Sequence, residues 1–133
     1  MKKNLIFIFT LVLGILFLNF TFVEKNQNLP NPDEGLNIPA DVQVIIDQSC
    51  YGCHHTDSKN EKGKKKLNFD SFGKEYSNIK SAGKLKEVAE EVKEEEMPPK
   101  KYLDHNPEKA LTKEQKDLLS SWALEASETF RKP

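Results

Sequence analysis

Cys50 and Cys53 are the only cysteines of the 133-residue chain, and they stand three apart in "SCYGCHHTDS", with His54 and His55 directly behind them. A thiol pair with an adjoining imidazole supports four chemistries: a disulfide, a zinc site, a thiol redox centre and covalent attachment of haem. A disulfide here would close a very small loop, which removes little chain entropy and makes a poor staple. A thioredoxin-like pair belongs at the start of a helix in a βαβ setting, whereas this pair ends a helical pattern in a chain without strand-like alternation. Cys50, Cys53, His54, His55 and the distant His105 hold enough donor atoms for zinc, but no second ligand pair follows at the usual spacing. C-x-x-C-H is also the attachment signature of c-type haem. Two thiols a helical turn apart can meet the two vinyl groups of one haem edge, and the next residue can bring its imidazole beneath the iron. Tyr51 and Gly52 then read as spacers.

The pentapeptide alone recurs by chance, so its weight depends on its surroundings. Met97 is the only methionine besides the initiator, and it precedes Pro98 and Pro99 at the end of an acidic stretch. Fixed proline φ angles hold an extended loop at low conformational entropy. A thioether on such a loop can be presented to iron as a sixth ligand, and sulfur opposite histidine raises a haem potential. The competing reading of Met97 is a helix-end hydrophobe.

Three helices must position these residues. The first opens at Pro39, a residue suited to a first helical turn, and carries Val42, Ile45 and Ile46 on one face towards Cys50. The second, roughly 83–95, spaces Leu85, Val88, Ala89 and Val92 at i, i+3, i+4, i+7, and "MPP" ends it. The third starts at Thr112 with Gln115 three residues on, a capping box, and its stripe is Leu118, Leu119, Trp122, Ala123, Ala126 and Phe130. "KGKKK" reads as a solvated loop, and Phe69, Phe72, Tyr76 and Ile79 as the face of a short helix introduced by Asp70. The fold class is all-α, with no internal repeat.

Lys2 and Lys3 precede an apolar run, Leu5 to Val23, broken only by Thr10, Gly14, Asn19 and Thr21. Its length approaches the roughly 20 residues that cross a bilayer as a helix, and the lysine pair belongs on the cytoplasmic side. Phe20, Phe22 and Val23 stand where small residues would mark a cleavage site. The segment therefore predicts an uncleaved signal-anchor over 1–23, with a cleaved signal peptide as the alternative. A Pro- and Gly-containing tether over 24–37 follows, and then one small domain over 38–133. With 20 basic and 21 acidic residues, no nucleic-acid footprint stands out. Domains of this size bury a limited core and often use a disulfide, a metal or a cofactor as a staple.

The stretches "IPADVQVIIDQSCYGCHH", "LNFDSF" and "VAEEVKEEEMPPKKYLDHNPEKALTKEQKDLLSSWA" resemble the small haem-binding domain of bacterial exported proteins, a relative of class I cytochromes c. The resemblance covers about residues 38–123. It implies a cytochrome c-like fold with crossing first and last helices, one covalent haem c, Cys50 and Cys53 as thioether attachment points, His54 as proximal ligand and Met97 as distal ligand. Many relatives carry a longer, aromatic-rich insert after the haem motif, where this chain has the short, charged "HTDSKNEKGKKK". His55 and His105 inherit no role.

The expected function is an exported monohaem cytochrome that passes single electrons and is not an enzyme. Its partners would be exported or membrane-bound redox proteins, not nucleic acid, and its N-terminus would touch the membrane. It would sit on the periplasmic side of the cytoplasmic membrane, or free in the periplasm after cleavage. Val42, Ile46, Leu85, Val88, Leu119 and Trp122 are expected to keep the haem pocket dry, while Lys64, Lys65, Lys66, Lys100 and Lys101 read as solvated charge. Two rivals remain: a haem sensor or peroxidase-like enzyme with a labile distal ligand, and a zinc-stapled interaction module.

Overall fold

The computed structural model describes residues 35–132. The signal-anchor expected over 1–23 and most of the expected tether lie outside the described residues. Among those described there are helices and turns and no strand: α1 Ala40–Ser49, α2 Glu61–Lys66, α3 Asn78–Lys93, α4 Lys100–Leu103 and α5 Lys113–Arg131, with 3₁₀ turns at Phe69–Ser71 and Pro107–Lys109. The fold is all-α, as the apolar periods predict. None of these helices is long and apolar enough to cross a membrane.

The frame is the pair α3 and α5. Thr112 and Gln115 cap α5 reciprocally, with Thr112 Oγ1 accepting from the Gln115 N–H at 3.2 Å and Gln115 Oε1 from the Thr112 N–H at 2.9 Å. Ser127 Oγ donates to the Ala82 carbonyl at 2.8 Å, and Lys116 Nζ meets Glu95 Oε1 at 2.6 Å. These two contacts make the helices antiparallel. Leu85 and Leu119 lie fully buried with Ala89, Val92, Ala123 and Ala126, each large side chain contributing about 1.5–3 kcal/mol by leaving water. Leu118 is 39% exposed and stands outside the core expected of it.

Helix α1 follows Pro39, buries Val42, Ile45 and Ile46 as its spacing predicts, and packs on α5. First and last helices thus touch, though α3 and α5 form the larger contact. Helix α3 starts five residues earlier than the apolar stripe suggests, because Ser77 caps it through the Lys80 N–H and its first turn is polar. Ile79 consequently belongs to α3 and is 86% exposed, so the face expected to run from Phe69 to Ile79 is not formed. Phe69 and Phe72 are buried instead by a 3₁₀ turn that Asn68 caps.

Packing among the described residues already involves the end of the stretch read as a tether. Leu36 and Ile38 pack on the core, and Trp122 Nε1 donates to the Asn37 carbonyl at 3.3 Å. Gly35 and Gly73 touch backbone to backbone at positive φ. A Cβ on Gly73 would lie 2.3 Å from Gly35 Cα, so no side chain fits there.

Candidate functional site

Helix α1 ends in a tight turn that carries the cysteines. The Cys50 and Tyr51 N–H groups both donate to the Ile46 carbonyl at 2.8 Å, and the His54 N–H donates to Cys50 and Tyr51 carbonyls at 3.2 and 3.1 Å. Both thiols are free and half-buried. Burial, and secondly the neighbouring Cys53, push the Cys50 thiol up to about 12. It is therefore held as a thiol at neutral pH, unlike the activated thiolate of a redox nucleophile. No group of three His, Cys, Asp or Glu side chains able to hold a metal ion occurs among the described residues, so the zinc reading lacks its ligand set there.

The stretch "KGKKK" expected as a solvated loop is helix α2, and its role is to hold His54. His54 Nδ1 lies 2.9 Å from the Gly63 carbonyl and 3.1 Å from the Leu67 carbonyl. Carbonyl oxygens only accept, so Nδ1 carries a proton, which makes Nε2 the nitrogen by which the neutral ring would ligate a metal. Asn60 caps α2 by accepting from the Gly63 N–H at 2.9 Å. Ser58 Oγ donates to the Gly52 carbonyl at 2.9 Å and accepts from the Asn60 N–H at 3.1 Å, tying α2 to the cysteine turn. Gly63 is required by close approach, since a Cβ there would stand 2.8 Å from the Cys53 carbonyl oxygen.

Tyr51 is more than a spacer. Its hydroxyl donates to Asp70 Oδ1 at 2.7 Å, while Asp70 Oδ2 accepts from the Thr56 N–H at 2.9 Å. The Thr56 N–H first, and then the Tyr51 hydroxyl, hold the Asp70 carboxyl below the usual carboxylate range. His55 stacks on the Tyr51 ring at 4.9 Å between centroids. His105 is exposed.

Met97 reaches the same cavity from the end of α3. Helix α3 ends in a Schellman motif: the Glu95 N–H donates to the Val92 carbonyl at 3.3 Å, the Glu96 N–H to the Glu91 carbonyl at 2.9 Å, and Glu95 takes φ 60°. The Met97 N–H extends this turn to the Glu91 carbonyl at 3.2 Å. The chain reversal brings Met97, Pro98 and Pro99 to one cavity with Cys50, Cys53 and His54.

That cavity measures about 980 Å³, the upper end of the roughly 300–1,000 Å³ found for ligand sites. Of the six side chains expected to keep it dry, only Val88 lines it. Val42, Ile46, Leu85, Leu119 and Trp122 are core behind it, and the other apolar wall residues include Leu67, Phe69, Val92 and Leu111. Ser49 Oγ, on a residue of the cavity wall, is buried without a hydrogen-bond partner. An apolar cavity bearing two thiols, one imidazole of fixed tautomer and one thioether fits haem.

Fold and site together define a small all-α haem-binding domain. The chain belongs to the haem-binding domain family, whose model matches residues 56–125. The match begins just after Cys50–His54 and takes in α2, α3 and Met97. No curated protein and no solved structure matches the chain.

Proposed function

We propose that this domain is a c-type cytochrome. One haem would be joined to Cys50 and Cys53 and its iron held by His54 and Met97, and the protein would pass single electrons between exported or membrane-bound redox proteins. The observation that carries this reading is the fixed tautomer of His54 in a cavity shared with both cysteines and the methionine. Bound haem supplies a one-electron iron couple. The chain's own residues do the rest. The Gly63 and Leu67 carbonyls keep the proton at Nδ1 and orient the ring, the capped end of α3 delivers Met97, and Leu67, Phe69, Val88, Val92 and Leu111 exclude water. Held by the His54 nitrogen and the Met97 sulfur, the haem would have a raised potential, and two protein ligands would leave no position for substrate, which suits a carrier rather than an enzyme.

Residues 1–23, read as an anchor, would hold the domain at the periplasmic face of the membrane; cleavage would free it. The test is the full chain made in a host competent in cytochrome maturation, followed by haem-peroxidase staining after denaturing electrophoresis and an intact mass. Colour that survives denaturation, with the mass of one added haem, is expected. A colourless chain with unmodified thiols would overturn the proposal.

A further inference from the structure

The cavity mouth is electrostatically lopsided. On the α2 side Lys62, Lys65 and Lys66 line it and are also exposed, which puts them at the rim. None of the three has a carboxylate partner among the described residues, whereas their neighbour Lys64 pairs with Glu61 at 2.9 Å. On the α3 side stand Glu87 and Glu91, with Lys84 held by Glu87 at 2.7 Å. Haem is apolar except for one edge that bears two propionate carboxylates. An anionic edge is repelled by Glu87 and Glu91 and attracted by three unpaired ammonium groups, and solvent screening is weaker beside an apolar wall than in open water.

We infer that Lys62, Lys65 and Lys66 of α2 form the propionate-binding rim of the haem site and set the orientation of the haem edge. This rests on the haem-binding reading above. The helix that fixes His54 through its carbonyls thus also neutralises the cofactor's charge through its side chains. Cations beside the propionates favour the reduced iron, so their removal lowers the potential.

The test uses the haem-loaded full chain with Lys62→Gln, Lys65→Gln and Lys66→Gln combined. A charge-matched control combines Lys74→Gln, Lys93→Gln and Lys109→Gln, which lie away from the cavity wall. Glutamine keeps helix propensity near that of lysine, so folding is preserved. The cavity variant should shift the ferric-to-ferrous ratio at fixed applied potential by about tenfold towards ferric, ~59 mV for one electron. Its pH-dependent step in potential should also move upward, while the control moves neither. Equal shifts in both variants would mean net charge alone acts and would overturn the inference. So would an unchanged potential accompanied by slower electron exchange with an acidic redox protein, which would assign the lysines to docking. If the unsubstituted chain carries no haem by the peroxidase stain, the underlying reading fails instead, and the two failures are distinguishable.

Discussion

Gly63→Ala should destabilise this domain, whereas Gly83→Ala should stabilise it. Both glycines are in helices, and Gly→Ala in an exposed helix interior gains about 0.5–1 kcal/mol. Gly83 meets that condition, because a Cβ built on it has nothing within 4 Å. At Gly63 the same atom would lie 2.8 Å from the Cys53 carbonyl oxygen and 3.2 Å from the Asn60 side chain. Asn60 can rotate, but the Cys53 carbonyl is backbone, so α2 must recede from the cysteine turn. Overpacking of this kind costs about 1–3 kcal/mol, which exceeds the propensity gain and leaves a net loss of up to about 2 kcal/mol. Recession also draws the Gly63 carbonyl from His54 Nδ1, now 2.9 Å away, leaving only the Leu67 carbonyl at 3.1 Å. Loss of such an outer partner lowers metal affinity roughly 10–100-fold. Denaturant unfolding of the haem-loaded chain, with competition by added imidazole for the iron, reads both effects. If Gly63→Ala raises the unfolding midpoint as Gly83→Ala does, the close approach of α2 to the cysteine turn is wrong.

Met97→Ala should keep its covalent haem but lose the low-spin ferric spectrum and show a lower potential; unchanged spectra and potential would mean that another residue ligates the iron. Asp70→Asn tests the clasp on Tyr51. The folded-state pKa of Asp70 lies below its ordinary value of 3.8, so the stability it contributes is complete above that value and disappears as pH falls through the lower, folded-state pKa. The variant should lose about 1 kcal/mol at neutral pH, the net size of one hydrogen bond, and should differ less from the parent below about pH 4; a constant difference across that window would refute the clasp. Leu119→Ala removes a fully buried side chain from the α3–α5 contact and should cost about 2–5 kcal/mol. In that variant the Met97-dependent spectrum should fade at lower denaturant than the helical signal, and coincident transitions would count against separate anchoring of the distal side.

Much of the frame was legible because long helices repeat their apolar spacing. The stripes on α1, α3 and α5 and the Thr112 capping box appear where that spacing places them. Six residues of α2 cannot show a period, and a glycine among lysines reads as solvated chain. The signal that marks α2 is Asn60, a cap residue three positions before Gly63, and it carries weight only once His54 is seen to need a carbonyl. The start of α3 was hidden by a polar first turn in which Ile79 faces water. Much of the cavity wall escaped for a related reason: Leu67, Phe69 and Leu111 come from connections with no period, while the helical stripes chiefly build the core behind them. The four residues expected as donors, named from type and position, share one cavity, but the contacts that orient them were not legible.

Those contacts divide the site into two unlike halves. Everything that fixes His54 lies between Cys50 and Asp70: Gly52 to Ser58, Asn60 to Gly63, Gly63 and Leu67 to the imidazole, Tyr51 and Thr56 to Asp70, and the Phe69 N–H to the His54 carbonyl at 3.0 Å. Contacts of such short sequence separation cost little loop entropy. Met97 depends instead on the end of α3, where Glu95 holds a left-handed conformation that non-glycine residues adopt at a cost. The Glu95–Lys116 bridge to α5 is too exposed to offset that cost, since surface ion pairs contribute little. The burial of Leu85, Ala89, Val92, Leu119 and Ala123 must therefore hold the distal wall in place. The proposed cytochrome behaviour would then rest on the α3–α5 contact as much as on the cysteine motif: with that packing loosened, the His54 side would persist by its local bonds, while the Met97 side would open.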